Sequence, residues 1–88
     1  MEAKLPQKID RCIAIDLHKH YLVIAGVNRE QEVVLAPRRM DFTQWKRWQV
    51  ANLKETDAVV VESTTNAWHL YDQVEPLVGL AVVANPMN

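Results

Sequence analysis

The run AVVV at residues 58–61 constrains the fold of this chain more than any other stretch. A continuous apolar run rich in β-branched residues marks a strand buried on both faces, as in the interior of a parallel sheet. Such a strand reaches its parallel neighbours through helical crossovers, and helical spacing appears on both sides of the run. Before it, Asp41 and Gln44 have the spacing of a capping box, and Phe42, Trp45, Trp48 and Leu53 recur at helical intervals. After it, Thr64 or Thr65 is placed to cap a second helix, with Ala67, Leu70, Tyr71 and Val74 on one face. Pro76 disfavours helical geometry at Glu75, so that helix is predicted to stop there. Gly79 then leads into LAVVA at 80–84, a last buried strand.

Upstream, CIAID at 12–16 is a short apolar run that ends in a carboxylate, followed by a tight turn at 17–19. Residues 20–28, HYLVIAGVN, suit a pleated surface, with Gly26 marking a bulge. A polar loop at 28–31 joins this strand to EVVLA at 32–36, and Pro37 suits an edge strand because it cannot donate a ladder hydrogen bond. The predicted order is β-β-β-α-β-α-β. The fold class is α/β: a five-stranded mixed sheet made of two hairpins and two right-handed parallel crossovers, with helices against it. Residues 1–10 are polar and read as a flexible N-terminal arm, leaving 11–88 as one domain. At 88 residues the chain buries a real core with little margin.

Composition narrows the function classes. Apolar residues at 49% and charged residues at 24% suit a packed domain and exclude a disordered or fibrous chain. A net charge of -1 argues against nucleic-acid binding by bulk charge, leaving local clusters such as Arg38, Arg39, Lys46 and Arg47, whose default reading is a solvated face. The lone Cys12 permits neither an internal disulfide nor a cysteine-based zinc site, and fits a reducing compartment. The charged N-terminus is no signal peptide and the apolar runs are far shorter than a bilayer span, so no membrane partner and a cytoplasmic location are expected.

Asp16 and Glu62 occupy equivalent places, each ending an apolar strand before a polar turn. In open α/β sheets, sites form at the carboxyl ends of parallel strands. If the strands carrying these residues are neighbours, they lie about 4.8 Å apart, and two carboxylates that close repel. A divalent cation is the natural remedy: Mg²⁺ or Mn²⁺ prefers hard carboxylate oxygens, and a pair of such ions stabilises attacking and leaving oxygens in phosphodiester cleavage. Taken singly, each acid has a plainer reading, Asp16 as a turn initiator and Glu62 as a solvent-facing side chain. His18 and Lys19 in the turn are candidate nucleic-acid contacts whose plainer reading is exposure. Thr64 and Thr65 are either helix caps or part of a phosphate-binding helix start. Trp68 lies off the main apolar stripe and is a candidate base-stacking surface, whereas Trp45 and Trp48 read as core. The chain contains neither GxxxxGK[ST] nor GxGxxG nor GxSxG.

The segments AIDLHKHYLVIAGVN (14–28), DAVVVESTTNAWHLYD (57–72) and VVANP (82–86) resemble the N-terminal domain of DEDD transposases of the insertion-sequence-110 type, relatives of the pilin-gene invertases. The resemblance implies an RNase H-like, RuvC-type fold with strand order 3-2-1-4-5, which sets Asp16 beside Glu62. It implies a DNA transposase that holds Mg²⁺ or Mn²⁺ on four acids, works with a structured guide RNA and acts in the bacterial cytoplasm at the nucleoid. Asp16 and Glu62 match the first two acids, as catalytic and metal-binding residues. The last two acids and the final helix of the family's domain fall beyond Asn88. The chain is therefore expected to hold metal weakly and to cut DNA little or not at all by itself. The alternative is a non-catalytic module that binds nucleic acid or dimerises, and an exposed last strand favours a homo-oligomer.

Overall fold

The computed structural model describes residues 9–63 and 66–84. In chain order the elements are β1 (Arg11–Leu17), β2 (Leu22–Asn28), β3 (Val33–Met40), α1 (Phe42–Asn52), β4 (Asp57–Glu62), α2 (Trp68–Val74), a 3-10 turn (Glu75–Leu77) and β5 (Leu80–Ala84). The strands form one five-stranded sheet in the order β3-β2-β1-β4-β5. The β1–β2 and β2–β3 pairs are antiparallel, and β4 runs parallel to both β1 and β5. This is the expected mixed sheet, element for element.

Local chemistry explains most boundaries. Asp41 accepts a hydrogen bond from the Gln44 backbone N–H at 2.7 Å, and the Gln44 side chain accepts from the Asp41 N–H at 2.9 Å, the reciprocal cap that starts α1. The β2–β3 loop is built on Asn28, whose side-chain oxygen accepts from the N–H groups of Glu30 and Glu32, while Gln31 adopts a positive φ of 65°. The β2–β3 register slips on either side of Gly26, the predicted bulge. α2 stops at Val74 as expected, but Glu75 keeps helical geometry (φ -52°, ψ -46°), because it opens the 3-10 turn that holds Pro76.

The core lies on one side of the sheet. Ile13, Ile15, Leu22, Ile24, Met40, Val59 and Val61 meet Trp45 of α1 and Ala67, Leu70 and Val74 of the α2 segment. Full burial of each large apolar side chain contributes roughly 1.5–3 kcal/mol. Gly79 is required by close approach: a Cβ there would overlap the Glu55 carbonyl oxygen and stand 2.8 Å from Ile9 Cδ1.

Several expectations change. β4 is not covered on both sides. Val59 and Val61 face the helices, whereas Val60 and Glu62 face the opposite side, where no described helix packs. β3 runs through Pro37 to Met40, so Arg38 and Arg39 belong to a strand. Only Trp45 and Gln49 are buried on α1, because Phe42 and Trp48 sit at the margins of its apolar stripe. The first residue of α2 is Trp68, whose N–H is accepted by the Asn66 side chain at 3.0 Å, so this local bond comes from Asn66. Thr64 and Thr65 lie outside the described residues. Ile9 and Asp10, read as part of the arm, pack on the body: Ile9 is buried and the Asp10 N–H donates to the Thr56 carbonyl. No helix among the described residues is long and apolar enough to cross a membrane.

Candidate functional site

Parallel pairing of β1 with β4 sets the geometry of the two acids. Asp16 stands directly opposite Glu62 in the register, at the carboxyl end of both strands. Side chains alternate along a strand, and the neighbours Ile15 and Val61 are wholly buried on the helix side. Both carboxylates therefore project from the uncovered side, and both residues are exposed. Strand spacing places their backbones about 4.8 Å apart.

The same register is pinned at the opposite end of the two strands. Arg11 stands opposite Asp57 and grips it with two hydrogen bonds, Nε to Oδ1 at 2.7 Å and Nη2 to Oδ2 at 2.8 Å. Arg11 Nη2 also donates to the Asn52 carbonyl, and the Lys54 N–H donates to Asp57 Oδ2. Asp57 is almost wholly buried, at 1% exposure. Its hydrogen bond raises the Arg11 pKa above the ordinary guanidinium range; partial burial opposes the rise and the negative charge of Asp57 adds to it. This pair is a structural clamp that the sequence reading did not foresee, since partners 46 positions apart leave no local signal.

A second group lies beside Asp16. His18 Nε2 is 3.0 Å from Asp16 Oδ2, and the His18 ring stacks on Tyr21 with centroids 4.5 Å apart. The Arg39 guanidinium lies 3.8 Å from the centre of the Tyr21 ring. His18, a candidate nucleic-acid contact, is exposed and is also tied to both a carboxylate and a ring. Glu62 has no hydrogen-bond or ion-pair partner among the described residues.

Among the described residues the remaining candidates make no hydrogen bond or ion pair with the acids. Lys19 lines a cleft of about 600 Å³ between α1 and α2, with His18, Phe42, Trp45, Lys46, Asn66 and His69. That cleft adjoins the acids at its rim, through His18, which bonds Asp16. Trp68 is 58% exposed and meets Tyr71 edge to face, so it remains available for stacking. Trp45 is core, and Trp48 stacks on it. Lys46 faces the cleft, whereas Arg38 and Arg47 share a shallow surface groove with Gln44 and Trp48, so the basic residues do not form one patch.

Among the described residues no group of three or more His, Cys, Asp and Glu side chains is arranged to hold a metal ion. Two in-register carboxylates nevertheless fit a hard divalent cation, because Mg²⁺ keeps several waters and is commonly held by one or two carboxylates together with substrate phosphates.

No family model matches the chain, and no curated protein matches it. Among solved structures, the chain is similar to a protein of actin-like ATPase fold and unknown function from Bacteroides thetaiotaomicron, with a TM-score of 0.62 and 13% identity. The likeness covers 85% of this chain and 32% of that one, so this chain spans about a third of the protein it resembles. At that identity the likeness speaks to the fold alone.

Proposed function

We propose that this chain carries the first two acids of a metal-dependent DNA-cutting centre of the insertion-sequence-110 transposase kind, on an RNase H-like sheet. The observation that carries the reading is the in-register placement of Asp16 and Glu62, both exposed, at the carboxyl ends of adjacent parallel strands. Asp16 and Glu62 would hold Mg²⁺ or Mn²⁺. When bound, such an ion stabilises charge on the attacking and leaving oxygens of a phosphodiester. The chain's own residues hold the two carboxylates at fixed spacing, with His18 orienting Asp16 through its hydrogen bond. DNA is the proposed substrate and a structured guide RNA the proposed partner of the full enzyme. With two acids alone the chain is expected to bind metal weakly and to cut little or no DNA.

The test is thermal unfolding of the 88-residue chain in rising Mn²⁺. Ligand binding to the folded state raises Tm with concentration, and the rise should disappear in the Asp16→Asn/Glu62→Gln double variant. An equal rise in that variant would sink the assignment. Robust Mg²⁺-dependent nicking of plasmid DNA by the chain alone would overturn its proposed inactivity.

The actin-like neighbour offers a second reading, a nucleotide-binding domain. Phosphate loops use glycine for close backbone approach, and the β1–β2 turn here is His18-Lys19-His20. No Tm rise with Mg-ATP is therefore expected. The exposed apolar residues Leu80 and Val82 on the last strand favour the non-catalytic alternative, a self-pairing or nucleic-acid-binding module. Light scattering tests it: a monomer at high concentration that binds no DNA or RNA at low salt would count against it.

A further inference from the structure

We propose that Arg39, held over the ring of Tyr21, is a phosphate-contacting residue for the nucleic-acid strand that enters the Asp16–Glu62 site. The proposal rests on the reading of that site given above and names a recognition residue for it.

The first observation is alignment. Arg39 pairs with Val23, Val23 with Asp16, and Asp16 with Glu62. Residues paired across strands share a face, so Arg39, Asp16 and Glu62 stand in one cross-strand row on the uncovered side of the sheet. The backbone of Arg39 lies two strand spacings, or about 10 Å, from that of Asp16. A nucleic-acid strand laid along this row would place one phosphate at the acids and a later one at Arg39.

The second observation is how Arg39 is held. Its guanidinium rests 3.8 Å from the Tyr21 ring centre, and Tyr21 is stacked in turn on His18, which bonds Asp16. A guanidinium stacked on an aromatic ring keeps its N–H donors at its edge, where they match the paired oxygens of a phosphate. The stack thus links the position of the cation to the position of the first acid.

The third observation is availability. Arg11 is consumed by Asp57 and the Asn52 carbonyl, and Arg29 donates to the Ile9 carbonyl. Arg39 has no hydrogen-bond or ion-pair partner among the described residues, and it is exposed. Neither Asp16 nor Glu62 makes an ion pair with it. A fixed cation without a protein anion, beside a site proposed to take a polyanion, is complementary to that polyanion.

Fluorescence anisotropy of a labelled single-stranded DNA of mixed sequence tests the proposal, measured against salt for wild type, Arg39→Gln and Arg39→Lys. Arg39→Gln should weaken binding about five- to tenfold at low salt, uniformly across sequences, and lower the salt slope by roughly 0.7, the value for one lost single-strand phosphate contact. Arg39→Lys should restore the slope and recover only part of the affinity, because it keeps the charge and loses the planar fork. The Mn²⁺-dependent rise in Tm should be unchanged in both variants, which also shows that they fold. Wild-type affinity and slope in Arg39→Gln would overturn the role of Arg39 and leave the acidic site standing. A wild-type chain that binds no single-stranded DNA at low salt would overturn both.

Discussion

Removing Asp57 should do more damage than removing either exposed acid. In Asp57→Ala the Arg11 guanidinium, whose side chain is only 20% exposed, loses both hydrogen bonds to the carboxylate and keeps the Asn52 carbonyl. The Lys54 N–H loses its acceptor as well. Removing one partner of a buried pair leaves an uncompensated charge and costs roughly 3–5 kcal/mol. A domain of this size has a total stability of about 4–13 kcal/mol, so the change consumes a large fraction of it. With a urea m-value of about 1–1.5 kcal/mol/M, the midpoint should fall by at least about 2 M. The companion Arg11→Met strands a carboxylate that is 1% exposed and should cost about as much. The double variant Arg11→Met/Asp57→Leu should recover much of the loss, because neither charge then remains buried. Urea unfolding followed by tryptophan fluorescence measures all three. A loss below about 1 kcal/mol in Asp57→Ala at unchanged m would refute the clamp, as would strictly additive single effects.

The same pair makes a statement about pH. The folded-state pKa of Arg11 lies above the ordinary guanidinium range. A cation whose pKa rises on folding contributes stability that is fully present below the unfolded value and is lost as pH climbs through the folded one. That window lies in strong alkali. The part of the wild-type advantage over Arg11→Met that comes from ionisation of Arg11 should therefore stay flat between about pH 7 and 10.

Gly79→Ala should destabilise by roughly 2 kcal/mol, because the new methyl overlaps the Glu55 carbonyl and its neighbour is backbone that cannot swing away; thermal unfolding reads it. Asp41→Ala removes the reciprocal cap of α1 and should cost about 1 kcal/mol, with fraying of the first helical turn visible in amide exchange. Glu62→Gln removes a like charge from directly opposite Asp16 and should stabilise the metal-free protein by about 0.5 kcal/mol, or roughly 2–4 °C in Tm, and less at high salt. A lower Tm for Glu62→Gln without metal would mean that Glu62 has a structural partner instead.

Much of the fold was legible because local and periodic signals agreed. The Asp41–Gln44 box, the Gly26 bulge, the Pro76 stop and the LAVVA strand each carry their chemistry within a few residues. What was not legible depends on partners far apart in the chain. Arg11 and Asp57 meet only through the pairing of β1 with β4. Arg39 meets Tyr21 only once the bulge in β2–β3 has set the register. The AVVV run also misled in one respect: unbroken apolar character suggested two covered faces, yet one side of the sheet is left without a described helix. Small and β-branched residues such as Ala14 and Val60 line that side beside the acids.

The strand Asp57–Glu62 begins and ends with a carboxylate, and nothing in the string DAVVVE tells the two apart. Their fates differ because they stand five positions apart, an odd offset that puts the two side chains on opposite faces of the sheet. Asp57 falls on the helix side, where burial demands a partner and Arg11 supplies it. Glu62 falls on the uncovered side, opposite another carboxylate, where hydration makes isolation tolerable and repulsion makes it mildly unfavourable. The buried acid is explained by the fold that it stabilises. The exposed acid is not: an alanine or glutamine there would relieve a repulsion at no loss of core packing. A charge that the fold would be better without, aligned with a second carboxylate and with an arginine on the same row, is what the proposed binding of a cation and a phosphate would account for.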